Sequence, residues 1–278
     1  MKHILLLTDF SKNSINAINY ALHLFEDQKC DFYILNVESS KGYLSDDLVM
    51  AGNQSIYEAI VKKPKQKLSN LVENFKSKFK YDHYNFHILV DYDVFTDAIN
   101  QTVSSKNIDL IVMGSNGVTG AKEVVFGSNT INVIRKVDCA TLVIPEDFKY
   151  VKPKTALLPL DALDSISGKT FQHALLFIEK YMSALHLLRI NSKKIIPDEQ
   201  SKDLNHITQY LKDIPHQYKV VNHVPLEYVV SCYIQTNAID LTVLIVRKES
   251  LFERFFTGSS TTKIGNHIQV PLLVFHQH

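Results

Sequence analysis

Residues 108–130 read IDLIVMGSNGVTGAKEVVFGSNT. The run opens with Ile108 to Met113, an apolar β-strand pattern. It then passes through Gly114, Gly117 and Gly120 and reaches Gly127-Ser128-Asn129-Thr130, which opens a helical pattern running to Lys136. The whole chain holds nine glycines, and four of them fall in this one segment. Crowding of that kind marks backbone that turns sharply or comes close to something else. A strand, a glycine-bearing loop and a helix start make the carboxyl-end junction of an open α/β sheet, where ligands of such sheets sit. The first turn of a helix carries N–H groups without intrahelical partners and a partial positive charge, so phosphate binds there without a lysine. Ser128 and Thr130 add hydroxyls beside it.

Outward from this segment the same alternation continues. His3 to Thr8, Phe32 to Val37, Phe86 to Val90 and Ala140 to Ile144 read as further strands. Amphipathic helical stretches separate them: one after the N-cap residue Ser11, one carrying Leu68, Val72 and Phe75 with Pro64 near its start, and one over Val94 to Ser104. Glu38 to Ser55 reads as a long surface loop. This is the pattern of βαβ units around a parallel sheet.

After Pro145 the order begins again. A shift of 131 residues lays Ile108-Asp109-Leu110 on Ile239-Asp240-Leu241, Gly127-Ser128 on Gly258-Ser259, Thr130 on Thr261 and Leu142-Val143 on Leu273-Val274. A shift of 152 lays Thr8-Asp9 on Leu160-Asp161, so the second copy lacks 152 − 131 = 21 residues between its first and third strands, matching the long loop of the first copy. An internal repeat of this length predicts a duplicated domain, with boundaries at 1–147 and 153–278. The second copy keeps Gly258, Ser259, Ser260 and Thr261, a second possible anion site. It puts Ile245 and Lys248 where the first has Gly114 and Gly117, which predicts one complete ligand site per chain.

Composition narrows the function classes. The formal charge of +1 offers no field that would gather nucleic acid or an anionic membrane surface. No stretch approaches the roughly 18 apolar residues of a membrane helix. Three cysteines, Cys30, Cys139 and Cys232, form no CxxC pair and predict a reducing, cytoplasmic setting. Twelve histidines fall in no HExxH pattern and read as solvated or packed, His276 and His278 at the chain's end included, so no metal site is expected from the protein alone. Lys62 to Lys67 reads as a solvated helix face. The spacing Gly117 to Lys122 fails the P-loop pattern, and no GxGxxG follows the first strand.

The pattern G-x2-G-x9-G-[ST], written here as Gly114, Gly117, Gly127 and Ser128, together with Met113-Gly114 and the opening Thr8-Asp9-Phe10-Ser11, resembles the universal stress protein family in its tandem form. The resemblance implies two Rossmann-like (adenine nucleotide alpha hydrolase-like) domains, each a mostly parallel five-stranded sheet flanked by helices. It implies that ATP, ADP or AMP, with Mg on the phosphates, is held by Thr8, Asp9, Val37, Met113, Gly114, Gly117, Gly127, Ser128, Asn129 and Thr130. Asp9 would lie near adenine and ribose, and Val37 would meet the adenine edge through its backbone. It also implies that the last strands of the two copies, Ala140 to Ile144 and Val270 to Phe275, pair in an internal pseudo-dimer, with a homodimer of chains as a further level. The expected role is a nucleotide-dependent stress-response regulator. Two other readings stay open: a slow metal-assisted ATPase using Lys122 or Asp9, and a nucleotide-free interaction scaffold. The motif supplies backbone amides rather than the positioned water and cations that fast phosphoryl transfer needs.

Overall fold

The computed structural model describes residues 1–38, 62–115, 126–161, 164–191, 197–247 and 269–277. Gly117, Lys122, Lys248, Gly258, Ser259, Ser260, Thr261 and His278 lie outside the described residues, as does nearly all of the long loop expected after Glu38.

In the first half the strands are β1 (Lys2–Leu7), β2 (Cys30–Val37), β3 (Tyr84–Asp91), β4 (Leu110–Gly114) and β5 (Thr141–Ile144). The helices are α1 (Lys12–Leu24), α2 (Lys63–Lys78), α3 (Phe95–Lys106) and α4 (Ser128–Lys136). The second half holds β6 (Thr155–Asp161), α5 (Gly168–Tyr181), β7 (Ala184–Asn191), α6 (Pro197–Tyr210), β8 (His216–Asn222), α7 (Leu226–Thr236), β9 (Leu241–Arg247) and β10 (Leu272–Gln277). Local chemistry explains the starts. Ser11 is extended and its hydroxyl accepts from the Ser14 N–H, an N-cap on α1. Pro64 sits in the first turn of α2, where its missing N–H costs nothing.

All ten strands form one sheet in the order β3-β2-β1-β4-β5-β10-β9-β6-β7-β8. Each half has the same internal order and is parallel throughout. The two meet through an antiparallel pair, Val143↔Leu272, Leu142↔Leu273 and Thr141↔Val274. These two strands would otherwise be bare apolar edges, and their pairing removes both. The tandem α/β architecture and the joining of last strands are as expected.

The strands carry unbroken apolar runs because both faces are covered. Ile4, Leu6, Phe32 and Ile34 point to the face holding Ile18 and Phe25 of the α1 segment, Leu68 and Phe75 of α2 and Phe171 of α5. Leu5, Leu7, Leu35 and Ile111 point to the other, against Ile99 of α3, Val133 and Ile134 of α4 and Val229 of α7.

The repeat is visible in individual bonds. Asp109 donates its N–H to the His3 carbonyl at 2.8 Å and accepts the His3 N–H on Oδ2 at 2.8 Å. Asp240 donates to the Thr155 carbonyl at 2.9 Å and accepts the Thr155 N–H on Oδ2 at 2.9 Å. His3 to Thr155 is a shift of 152 and Asp109 to Asp240 is one of 131, the two offsets found in the sequence. His276 at the end of β10 is packed: its Nε2 lies 2.6 Å from the Ile134 carbonyl at the close of α4.

Candidate functional site

The carboxyl ends of β1, β2 and β4 border a cavity of about 440 Å³, lined by Leu7, Thr8, Asp9, Ser11, Ser14, Val37, Phe95, Met113, Gly114, Gly127, Ser128, Asn129 and Thr130. Every residue of the expected N-terminal set that lies among the described residues is on that wall. Four more line it without belonging to the motif: Leu7, Ser11, Ser14 and Phe95. Ser11 was readable as a helix N-cap, whereas nothing in the sequence singled out Ser14 or Phe95.

The wall is built locally. Phe10 takes a left-handed conformation, φ 65°, rare for a side chain of its size. That bend takes the chain from β1 into α1, and several bonds hold it. The Phe10 N–H donates to Thr8 Oγ1 at 3.0 Å, Thr8 Oγ1 and Ser14 Oγ lie 3.0 Å apart, and the Ser11 N–H donates to Asp9 Oδ1 at 3.0 Å. Asn36 Nδ2 donates to the Thr8 carbonyl at 2.9 Å. This side-chain bond takes the carbonyl that the ladder would otherwise offer to β2, and the last β1–β2 rung is Leu7↔Leu35. The Thr8 N–H reaches the Leu35 carbonyl and the Glu38 N–H reaches the Asp91 carbonyl. By strand alternation, the backbone groups of Val37 therefore face the β1 side, where the cavity begins.

At the opposite side α4 begins. Gly127 is extended and contributes no side-chain cap, so the first-turn amides of Ser128, Asn129 and Thr130 face outward without intrahelical partners. The Gly127 N–H donates to the Ser115 carbonyl at 2.8 Å. The Thr130 hydroxyl is committed to that same carbonyl at 2.9 Å. With its hydroxyl proton so engaged, Thr130 has its first-turn backbone N–H left for the cavity. Gly114 has a reason of its own to lack a side chain. A Cβ there would stand 2.7 Å from Asn13 Nδ2 and 2.8 Å from Asn13 Cγ, so the glycine lets α1 dock on the end of β4. Asp9 is the one charged side chain among the described lining residues. Among the described residues no group of three or more His, Cys, Asp or Glu could hold a metal ion.

At the corresponding strand position the second half carries a buried arginine. Pairing places His3 opposite Asp31 and Thr155 opposite Ala184. Five residues on from Asp31 and Ala184 stand Asn36 and Arg189. Arg189 is 1% exposed. Its Nε and Nη2 hold the two carboxylate oxygens of Asp203 on α6 at 2.7 and 2.6 Å, and Nη1 donates to the carbonyls of Asp161 and, at 2.8 Å, Asp164. Tyr218 donates its hydroxyl to Asp203 Oδ2 at 2.6 Å. Burial works against the Arg189 charge, but the Asp203 bonds and charge prevail and raise its pKa, so it stays a cation. The loop from β6 to α5 is thus clamped by a guanidinium at the level where the first half opens its cavity. Ile245, standing where the first half has Gly114, is itself buried.

No helix of the described residues is long and apolar enough to cross a membrane. Comparison with known proteins agrees with this architecture. The chain is 28% identical over 153 residues to a universal stress protein of Methanocaldococcus jannaschii, covering 51% of this chain and 94% of the relative. A universal stress protein of Bacillus subtilis is 24% identical over 143 residues, covering 51% of this chain and 97% of its own. A solved universal stress protein from Archaeoglobus fulgidus matches the fold over 99% of this chain and 96% of its own, with a TM-score of 0.68 at 16% identity. The sequence model of the Universal stress protein family matches residues 1–145, more than half of the 278, and the chain belongs to that family.

Proposed function

We propose that this protein binds one adenine nucleotide per chain in its N-terminal half, and works as a nucleotide-dependent regulator of the stress response rather than as a fast catalyst. The observation that carries the reading is the polarity of the cavity. Val37 and Phe95 make one side apolar, and the first turn of α4 offers backbone amides and a helix dipole at the other. A base and a phosphate chain ask for that pairing. A volume of about 440 Å³ lies within the range of small-ligand sites.

Thr8, Asp9, Val37, Met113, Gly114, Gly127, Ser128, Asn129 and Thr130, with Gly117 from the sequence motif, form the proposed site. ATP, ADP and AMP share the required chemistry. Mg arrives on the phosphates, and the Asp9 carboxylate is the one charged side chain among the described lining residues. The proposed domains are residues 1–147 and 153–278, and the anion-binding role of Gly258 to Thr261 is minor beside the first site. The clamped Arg189 and the buried Ile245 support the asymmetry. The working compartment is the cytoplasm, and pairing of chains into a homodimer is compatible with a sheet whose central edges are already joined.

Isothermal titration of the intact chain with ATP tests the reading. One site per chain is expected, and Gly117→Val, which puts a β-branched side chain on the cradle, abolishes it while the far-UV circular dichroism is unchanged. Unaltered affinity in Gly117→Val contradicts the assignment.

A further inference from the structure

We infer that Phe95 is the stacking platform for the base of the bound ligand, so that the site selects base-bearing phosphates over bare ones. The inference rests on the nucleotide reading above and names a determinant outside the glycine motif.

The sheet order places it. Strand ends run β3, β2, β1, β4 across the first half, with neighbours about 4.8 Å apart. Phe95 is the first residue of α3, which follows β3, and Val37 closes β2 beside it. Gly114 closes β4, and Gly127 to Thr130 follow it into α4. Between the β2 and β4 ends lie two strand spacings, about 10 Å. Phe95 therefore stands on the side away from the amides that suit phosphate.

Its backbone is fixed. The Asp97 and Ala98 N–H groups both donate to the Val94 carbonyl, at 2.8 and 3.0 Å, and set the start of α3. Its ring is supported, because part of the side chain packs against the buried cluster containing Leu7, Leu35, Ile99 and Met113. The rest borders the cavity, where Phe95 is the one aromatic side chain among the described lining residues. Many rings of this protein are engaged with one another, such as Phe32 with Tyr84 at 4.8 Å and Tyr33 with His87 at 4.6 Å. Phe95 makes no ring pair among the described residues. A half-buried ring with no partner ring among the described residues, on the cavity side opposite a helix N-terminus, suits offset stacking on a heteroaromatic base. Stacking tolerates any base, since each presents a π-face. Discrimination among bases is left to edge contacts such as the Val37 backbone.

The chain contains no tryptophan, so Phe95→Trp introduces a single selectively excitable indole. Saturable quenching of that indole by ATP and by AMP, but not by inorganic tripolyphosphate, is the expected result. In parallel, Phe95→Leu keeps the apolar packing without the ring. It should weaken ATP and AMP binding about 5- to 100-fold, as loss of one base–aromatic stack does, and leave tripolyphosphate binding unchanged. Urea midpoints near that of the wild type establish that both variants fold. Wild-type ATP affinity in Phe95→Leu, or equal quenching by tripolyphosphate, overturns the inference while leaving nucleotide binding intact. A wild-type chain that binds no nucleotide overturns both.

Discussion

Gly114→Ala puts a methyl group where the structure has a neighbouring side chain. The new Cβ stands 2.7 Å from Asn13 Nδ2, 2.8 Å from Cγ and 3.0 Å from Oδ1, against the roughly 3.5–4.0 Å of a relaxed contact. Asn13 cannot swing into solvent at no cost, because it is 2% exposed and lies in the first turn of α1. Either the amide leaves its place or α1 lifts from the end of β4. Overpacking of this size costs about 1–3 kcal/mol. The assay is urea unfolding of the ligand-free chain, followed by circular dichroism, for Gly114→Ala, Asn13→Ala and the double variant. Truncating Asn13 removes the obstructing amide. In the Asn13→Ala background, Gly114→Ala should therefore cost less than about 0.5 kcal/mol, a coupling that two contacting residues can show and two independent ones cannot. An equal cost in both backgrounds refutes the reasoning and returns Gly114 to a role set by the ligand alone. Because Ser11 and Ser14 ride on the same helix start, the single variant also weakens nucleotide binding, and the double variant regains it.

Three further outcomes follow from the buried groups. Arg189→Met leaves the Asp203 carboxylate, among the described residues, with only the Tyr218 hydroxyl and should cost about 3–5 kcal/mol in urea unfolding, with ATP affinity unchanged because the pair lies in the other half; a loss under about 1 kcal/mol would show that the clamp is dispensable. Burial pushes the Cys30 thiol up to about 11 and the Cys139 thiol up to about 12, while Cys232 is exposed. An aromatic disulfide reagent near neutral pH should therefore titrate one thiol in the native chain and three after denaturation. Burial, and then the nearby Lys78, holds His23 below its ordinary value against the pull of Glu26. The unfolded chain thus takes up this proton first as pH falls below about 6.5, so the folded state is favoured above that value and loses stability beneath it. His23→Gln should flatten the decline in unfolding midpoint between about pH 7 and pH 5, and an unchanged slope would contradict the assignment.

The fold was largely legible because its signals are local or repetitive. The strand ending at Gly114 and the helix opening at Ser128 are marked by composition, and α4 begins and ends at the residues its pattern predicts. The offsets of 131 and 152 reappear as equivalent bonds of Asp109 and Asp240. The motif likewise pointed to one wall of one cavity, since a helix start beside a glycine turn has a readable chemistry. Phe95 had no such signal: its place on the wall depends on where β3 ends relative to β2, a relation between strands rather than between neighbours in sequence. The fit of Asn13 against Gly114 joins positions about a hundred residues apart and was equally hidden. Arg189 escaped notice in the apolar pattern of β7, because its partners come from a helix and from backbone carbonyls. The sequence attributed the expected asymmetry of the two halves to Ile245 and Lys248. The structure adds a guanidinium that ties down the loop between β6 and α5, a feature visible only once the two halves are superposed strand by strand.

The central claim is that a duplicated fold carries one nucleotide, in its N-terminal half. Native mass spectrometry of the intact chain at saturating ATP tests it most directly. The account predicts a single bound state, one chain plus one nucleotide, lost in Gly117→Val and kept in Arg189→Met. Two nucleotides per chain, or none, would contradict it.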